Sequence, residues 1–289
     1  MTCYAGGKKR IGKRIYERIR ELEDTFVAHR KYFCPPSGQR SQSEQDEDNK
    51  DLLPYLEPMM GMLGVGQHFA AEQLAREDRQ VHLCDANQDL IAMWQSVQEG
   101  SWFPPSTCTR QYYDYLKESF RWDLKADKKT RADRIFIGCV ASYGGNCFSG
   151  GYRLDYAAKA HRDYLQEAAR SVEKIRPLLI HATIHDARDY GAWDPRDSLV
   201  YCDPPYKDNK LGPKSFRTFD HQRFWDTMRA WSEEARGNLV LISERVAPDD
   251  FVPVWTARST LTVSRTGYEN TEHLFTHKSI WDKLAVFLD

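Results

Sequence analysis

Apolar and polar positions along this chain follow two periods, and most of its elements can be read from them. Ile11, Ile15, Ile19 and Leu22 recur at helical spacing, which predicts an N-terminal helix with one buried face. Short apolar runs at 81–85, 178–183, 198–201 and 239–243 read as strands. Between them, Leu90, Ile91 and Trp94 mark a helix, 161–175 an amphipathic helix stopped by Pro177, and 224–235 another helix. Residues 135–140 fit a helix or a strand, and 261–263 with 273–276 predict a terminal hairpin. Strands alternating with helices give an α/β sheet. Two stretches break the rhythm. Residues 35–51 are polar and acidic with no apolar period, which predicts a solvated, mobile loop. Residues 100–176 read as an insertion, dividing the chain into 1–99, 100–176 and 177–289.

Composition narrows the classes. A chain of 289 residues with 41% hydrophobic positions can build one large domain and a smaller insertion. The formal net charge of -1 excludes a generally basic nucleic-acid binder, so any such surface must be local. No apolar run is long enough to span a membrane, and no signal-peptide core is present at the N-terminus. The seven cysteines are scattered without a CxxC pair, which predicts reduced thiols and neither a disulfide framework nor a zinc site.

The strongest chemical signal is Asp203-Pro204-Pro205-Tyr206, directly after the run 198–201. Two prolines cannot continue a strand, so an acid and an aromatic ring are held rigidly at a strand's C-terminal edge, where open α/β sheets bind ligands. The carboxylate and the Pro204 carbonyl can accept from an exocyclic amino group, and the ring can stack on a flat base. A surface turn is the alternative. Lys8 follows two glycines at a helix start, a site that favours anions; a frayed basic terminus would look the same. Asp85, at the second strand's tip, suits ribose hydroxyls, while Asp85 or Asn87 could equally cap the next helix. The insertion interleaves Arg110, Arg121, Lys128, Lys129 and Arg153 with aromatics, ending in a loop with Tyr143, Asn146 and Tyr152. That mixture suits phosphate contact and base stacking, or an ordinary helical subdomain. Lys207, Lys210, Lys214 and Arg217 form a basic stretch beyond Tyr206.

The Asp203–Tyr206 motif, the Tyr4-Ala5-Gly6-Gly7-Lys8 opening, Glu57-Pro58 with Gly61, and Asp85 with Asn87 occur in an order that resembles the Dam-type (D12 class) N6-adenine DNA methyltransferases. Two positions depart from that pattern: Met59 stands for a Phe and Leu63 for the second Gly. The resemblance implies a Rossmann-like S-adenosylmethionine-dependent fold, a mixed sheet ending in an antiparallel hairpin, with an inserted, mainly helical target-recognition domain. It implies site-specific methylation of a flipped-out adenine in double-stranded DNA, as in restriction-modification, inside a cell and away from membranes, and it allows a homodimer. Catalysis would fall to Asp203, Pro204 and Tyr206. The methyl donor would meet Tyr4, Gly7, Lys8, Glu57, Pro58, Gly61, Asp85, Asn87, Asp189 and Asp203, with Asp186 a rival for Asp189 and Lys8 facing the donor's carboxylate. Three other readings stay open: an RNA adenine methyltransferase, an inactive nucleic-acid-binding relative, and a dehydrogenase. The last lacks a proper GxGxxG.

Overall fold

A computed structural model describes residues 8, 11–33, 52–76, 79–122, 124–154, 162–206, 218–260 and 269–287. Tyr4, Gly7, the stretch 35–51 and the cluster Lys207, Lys210, Lys214 and Arg217 lie outside them. The chain enters through α1 (Gly12–Phe33), which buries Ile15, Ile19 and Leu22 as their spacing predicts. Strand β1 (Tyr55–Glu57) leads to α2 (Gly66–Arg76), and β2 (Val81–Asp85) to α3 (Gln88–Glu99). Helices α4 (Arg110–Arg121), α5 (Lys128–Val140) and α6 (Tyr164–Ile175) precede β3 (Thr183–Asp186). Then come β4 (Leu199–Cys202), α7 (His221–Trp231), β5 (Leu239–Glu244), β6 (Phe251–Thr260), β7 (Glu269–His277) and α8 (Lys278–Ala285).

The strands form one seven-stranded sheet in the order β3-β2-β1-β4-β5-β7-β6. The first five are parallel; β7 runs antiparallel to both β5 and β6. Every residue of β4 and β5 is buried, as parallel strands covered on both faces require. Strand order reverses between β1 and β4, so their carboxyl ends flank the topological switch point where such sheets bind ligands. The antiparallel β7 does something further. Ser243 pairs with Leu274 and Glu244 with His273, so the start of β7 lies beside the carboxyl end of β5.

The stretch 100–176 holds helices α4 to α6, and their buried side chains join the sheet's own core. Trp102, Tyr113 and Phe136 belong to the same apolar cluster as Trp94 on α3. Arg134 on α5 makes a two-pronged ion pair with Asp89 on α3, at 2.5 and 2.6 Å, with both side chains almost wholly buried. A second buried pair, Arg79–Glu23 at 2.6 Å, ties α1 to the chain entering β2.

Three details differ from the sequence reading, and one choice it left open, at 135–140, is decided. The apolar run 178–183 is not a strand: a 3-10 turn at Arg176–Leu179 buries Leu179, the carbonyls of Leu179 and Ala182 accept from Gln98, and β3 starts only at Thr183. Pro177 sits in the first turn of that element, where its missing N–H costs little. Residues 135–140 are helix, in α5, which Asp127 caps by accepting from the Thr130 amide. The helix expected at 224–235 runs from His221 to Trp231. Cys139 and Cys147 are paired as a disulfide rather than both reduced, because the chain turns back after α5 and brings both buried residues together. Among the described residues no helix is long and apolar enough to cross a membrane.

Candidate active site

The site is built where β4 ends. Asp203 leaves the buried strand and Pro204 is buried behind it, so the carboxylate is fixed at the switch point. Its Oδ1 accepts from the Lys8 ammonium at 2.7 Å. Lys8 also donates to the Tyr206 hydroxyl at 2.5 Å and lies 3.2 Å from Glu272. The Tyr206 hydroxyl in turn donates to Glu272. The side chains of Lys8 and Glu272 are each 6% exposed and that of Asp203 is 19%, so the three charges interact with little screening by water. Burial pushes the Asp203 carboxyl up to about 6; Lys8 opposes the rise and Glu272 adds to it. Burial alone would lower Lys8, but Asp203 and Glu272 together outweigh it and hold the ammonium charged. Tyr206 is raised well above the ordinary range by burial and then by the two carboxylates, so it stays a phenol. The Arg245 guanidinium lies 5.5 Å from its ring centre.

Lys8 was expected to face a donor carboxylate. In the structure its ammonium draws together Asp203, Tyr206 and Glu272. Glu272 was not anticipated at all. One trace in the sequence points to it: Glu272, Leu274 and Thr276 alternate on the buried face of β7, which is an unusual position for an acid.

The neighbouring strand tips form the rest of the edge. Asp85 accepts from the Asn87 amide at 2.8 Å and the Gly61 amide at 3.0 Å. Burial raises its carboxyl to about 6 despite these bonds and one from Ala86. The Gly61 carbonyl accepts from the Trp94 indole at 3.0 Å, which pins the turn after β1 against α3. Leu63, which stands for the expected second glycine, keeps a left-handed backbone with φ 56° and is fully buried. The departure therefore preserves the turn, at a strain cost of about 1–2 kcal/mol that burial of the leucine offsets. Met59 packs half-buried against the core.

Several expected residues have structural duties. Glu57 is buried, accepts from the Tyr55 hydroxyl at 3.0 Å and meets the Gly66 amide at the start of α2; burial raises it well above the carboxylate range. A Cβ at Gly66 would come within 2.3 Å of Glu57 Oε2, so only glycine lets that helix start sit so close. Asn87 caps α3 by accepting from the Asp89 amide at 3.0 Å. Asp189 is paired with Arg223 of α7 at 2.9 Å and largely exposed. Asp186, its rival, ends β3 and pairs in register with Asp85; Arg188 holds its carboxyl below the usual range. A cleft of about 470 Å³ between the 191–193 segment and α7 lies off this edge, and two of its lining residues, Arg223 and Arg236, already pair with Asp189 and Asp194.

Among the candidate nucleic-acid contacts, Arg110, Arg121, Lys128 and Lys129 have exposed side chains lying against Asp114, Glu118, Glu99 and Asp133. Tyr143 is exposed and Asn146 half-buried. Two others look inward. Arg153 is 7% exposed, donates to the Val140 carbonyl at 2.8 Å and stacks on Tyr164, and the Tyr152 hydroxyl donates to the Cys108 carbonyl at 2.9 Å. Both brace the loop after α5, so Arg153 is corrected from a surface cation to a structural one.

No curated protein matches the chain. The family model described as D12 class N6 adenine-specific DNA methyltransferase matches residues 47–266, which include the Glu57 turn, Asp85 and the Asp203–Tyr206 segment. With that match over most of its length and this arrangement at the switch point, the chain belongs to the D12 class N6 adenine-specific DNA methyltransferase family.

Proposed function

We propose that the protein transfers a methyl group from S-adenosylmethionine to N6 of an adenine flipped out of duplex DNA. One observation carries the reading: the Asp203 carboxylate is fixed and shielded at the switch point with the Tyr206 ring beside it. The N6 lone pair of adenine is delocalised into the ring, so the amino group is a poor nucleophile. Acceptors at Asp203 and the Pro204 carbonyl draw its N–H groups out of plane and stabilise the positive charge that develops there. The target atom is out of reach within a stacked duplex, which requires flipping, and the Tyr206 ring then supplies a stacking face.

The donor set fits the methyl donor. The strand tips present Asp85 and Asp186 for ribose hydroxyls, and a carboxylate-rich edge favours a sulfonium cation. S-adenosylmethionine supplies an electrophilic methyl group on that sulfur. Asp85 and the Gly61 turn would hold it, and Asp203 would border the methyl-transfer position. Because a hydrogen bond to a charged group contributes about 1.5–3 kcal/mol, Asp85→Ala is expected to weaken donor binding roughly ten- to a hundredfold. Calorimetry that finds equal affinity for the variant and the wild type would remove Asp85 from the donor site.

Recognition is assigned to 100–176, through Arg110, Arg121, Lys128, Lys129 and Tyr143, with Lys207, Lys210, Lys214 and Arg217 on phosphates. Binding is expected to weaken with salt in proportion to the phosphates contacted. The deciding experiment offers labelled S-adenosylmethionine with duplex DNA, single-stranded DNA and RNA in parallel. Label in N6-methyladenine of duplex DNA is the expected result. Label confined to RNA would move the substrate, and no label in any polymer would leave the inactive reading standing.

A further inference from the structure

We propose that Glu272 is a positioning residue for methyl transfer: it takes a share of the Lys8 ammonium away from Asp203 and fixes the Tyr206 ring through its hydroxyl. The inference deepens the proposed function and rests on it. Geometry carries the assignment. Lys8 lies between two carboxylates, 2.7 Å from Asp203 and 3.2 Å from Glu272, and all three side chains are largely shielded from water. The Tyr206 hydroxyl accepts from Lys8 and donates to Glu272, so both of its hydrogen-bonding functions are engaged and the ring cannot swing. The same ammonium lies 4.6 Å from the ring centre. Glu272 arrives from β7, whose antiparallel course brings it to the carboxyl edge beyond Glu244.

This sharing has a chemical consequence. An Asp203 paired with an undivided ammonium would be a weaker acceptor for an amino group, because its charge would already be neutralised. Dividing the ammonium leaves net negative charge at the position where the nucleophile becomes cationic. Among the described residues, other titratable groups near this cluster include Tyr201 and Cys202 on β4, Glu57 on β1 and Arg245 after β5. None of them bridges Asp203 and Tyr206 as Glu272 does.

Glu272→Gln keeps the shape and an acceptor for Tyr206 but removes the charge. The single-turnover rate at its plateau is expected to fall roughly ten- to a hundredfold, the scale of a lost charged hydrogen bond. The acid limb of the pH profile, set by Asp203, should move from about 6 toward the ordinary 3.8, because a repelling carboxylate is gone and Lys8 turns fully to Asp203. Glu272→Asp keeps the charge and should hold the limb near its wild-type position. A purely packing role would leave the limb unmoved in both variants. Carbon-13 NMR titration of the Asp203 carboxyl, in wild type and Glu272→Gln, reads the same shift without turnover. If that carboxyl titrates identically in the two proteins, the inference fails whether or not methylation occurs. If the wild type methylates no nucleic acid, it is the functional reading that fails, and the NMR arm still decides Glu272.

Discussion

Asp203→Ala lowers single-turnover methyl transfer to adenine-containing duplex DNA by at least a hundred- to a thousandfold, the loss seen when a transition-state hydrogen-bond partner is removed. The effect should be confined to chemistry. Lys8 keeps Glu272 and the Tyr206 hydroxyl as partners, so the cluster does not collapse when Asp203 is truncated. Donor affinity, set mainly by Asp85 and the β1 turn, should change little. Asp203→Asn is the sharper test, since it keeps the side chain's shape. Wild-type activity should fall as pH drops through about 6, because burial raises the Asp203 carboxyl and only its ionised form stabilises the positive charge that develops on the amino group. The residual rate of the Asn variant should show no such limb, because its side chain does not titrate. Near-wild-type turnover in Asp203→Ala would end the mechanism and remove the ground for assigning Glu272 a role in it.

How much of this was legible in the sequence depended on whether a residue's role is local. Asp203 and Tyr206 could be read because a fully apolar strand and two prolines fix their position within a few residues. Asp85 could be read for the same reason, at the tip of an alternating run. The ring of Tyr206 was legible, but the anchorage of its hydroxyl was not. That anchorage comes from Lys8 and Glu272, which lie 198 and 66 positions away. Glu272 was hidden because its place at the site follows from the antiparallel path of β7, and no spacing rule encodes that path. The disulfide was missed because Cys139 and Cys147 meet only when the loop after α5 folds back. The third strand was placed too early because an apolar run under a helix reads the same whether it is a turn or a strand. That error also obscured Asp186, whose place beside Asp85 is evident only once β3 is in register. Leu63 shows the opposite case: the residue departs from the family pattern while the backbone keeps the left-handed conformation.

The largest stability effect is expected at Arg134. It joins the helical layer to the sheet through Asp89, with neither side chain more than 5% exposed. It also donates to the Ser119 and Leu124 carbonyls, so one guanidinium satisfies acceptors on α3, on α4 and in the turn after α4. Arg134→Met removes a cation of similar volume and leaves Asp89 buried and unpaired. Breaking a buried pair from one side costs about 3–5 kcal/mol, because the remaining charge has lost its partner and cannot reach water. For a chain of this size that corresponds to a fall in Tm on the order of 10 °C. Adding Asp89→Leu should recover most of the loss, since two apolar residues in place of a buried ion pair are often tolerated. The outcome also bears on how the chain is divided. Residues 100–176 look like an insertion in sequence, yet Trp102, Tyr113 and Phe136 share their core with Trp94 of α3. A shared core predicts a single unfolding transition that the Arg134→Met substitution shifts as a whole, followed by both near-UV and far-UV circular dichroism. Two transitions, with the substitution moving only one, would mean that the helical layer is an independently folding unit and that the Arg134–Asp89 pair is an interface between domains.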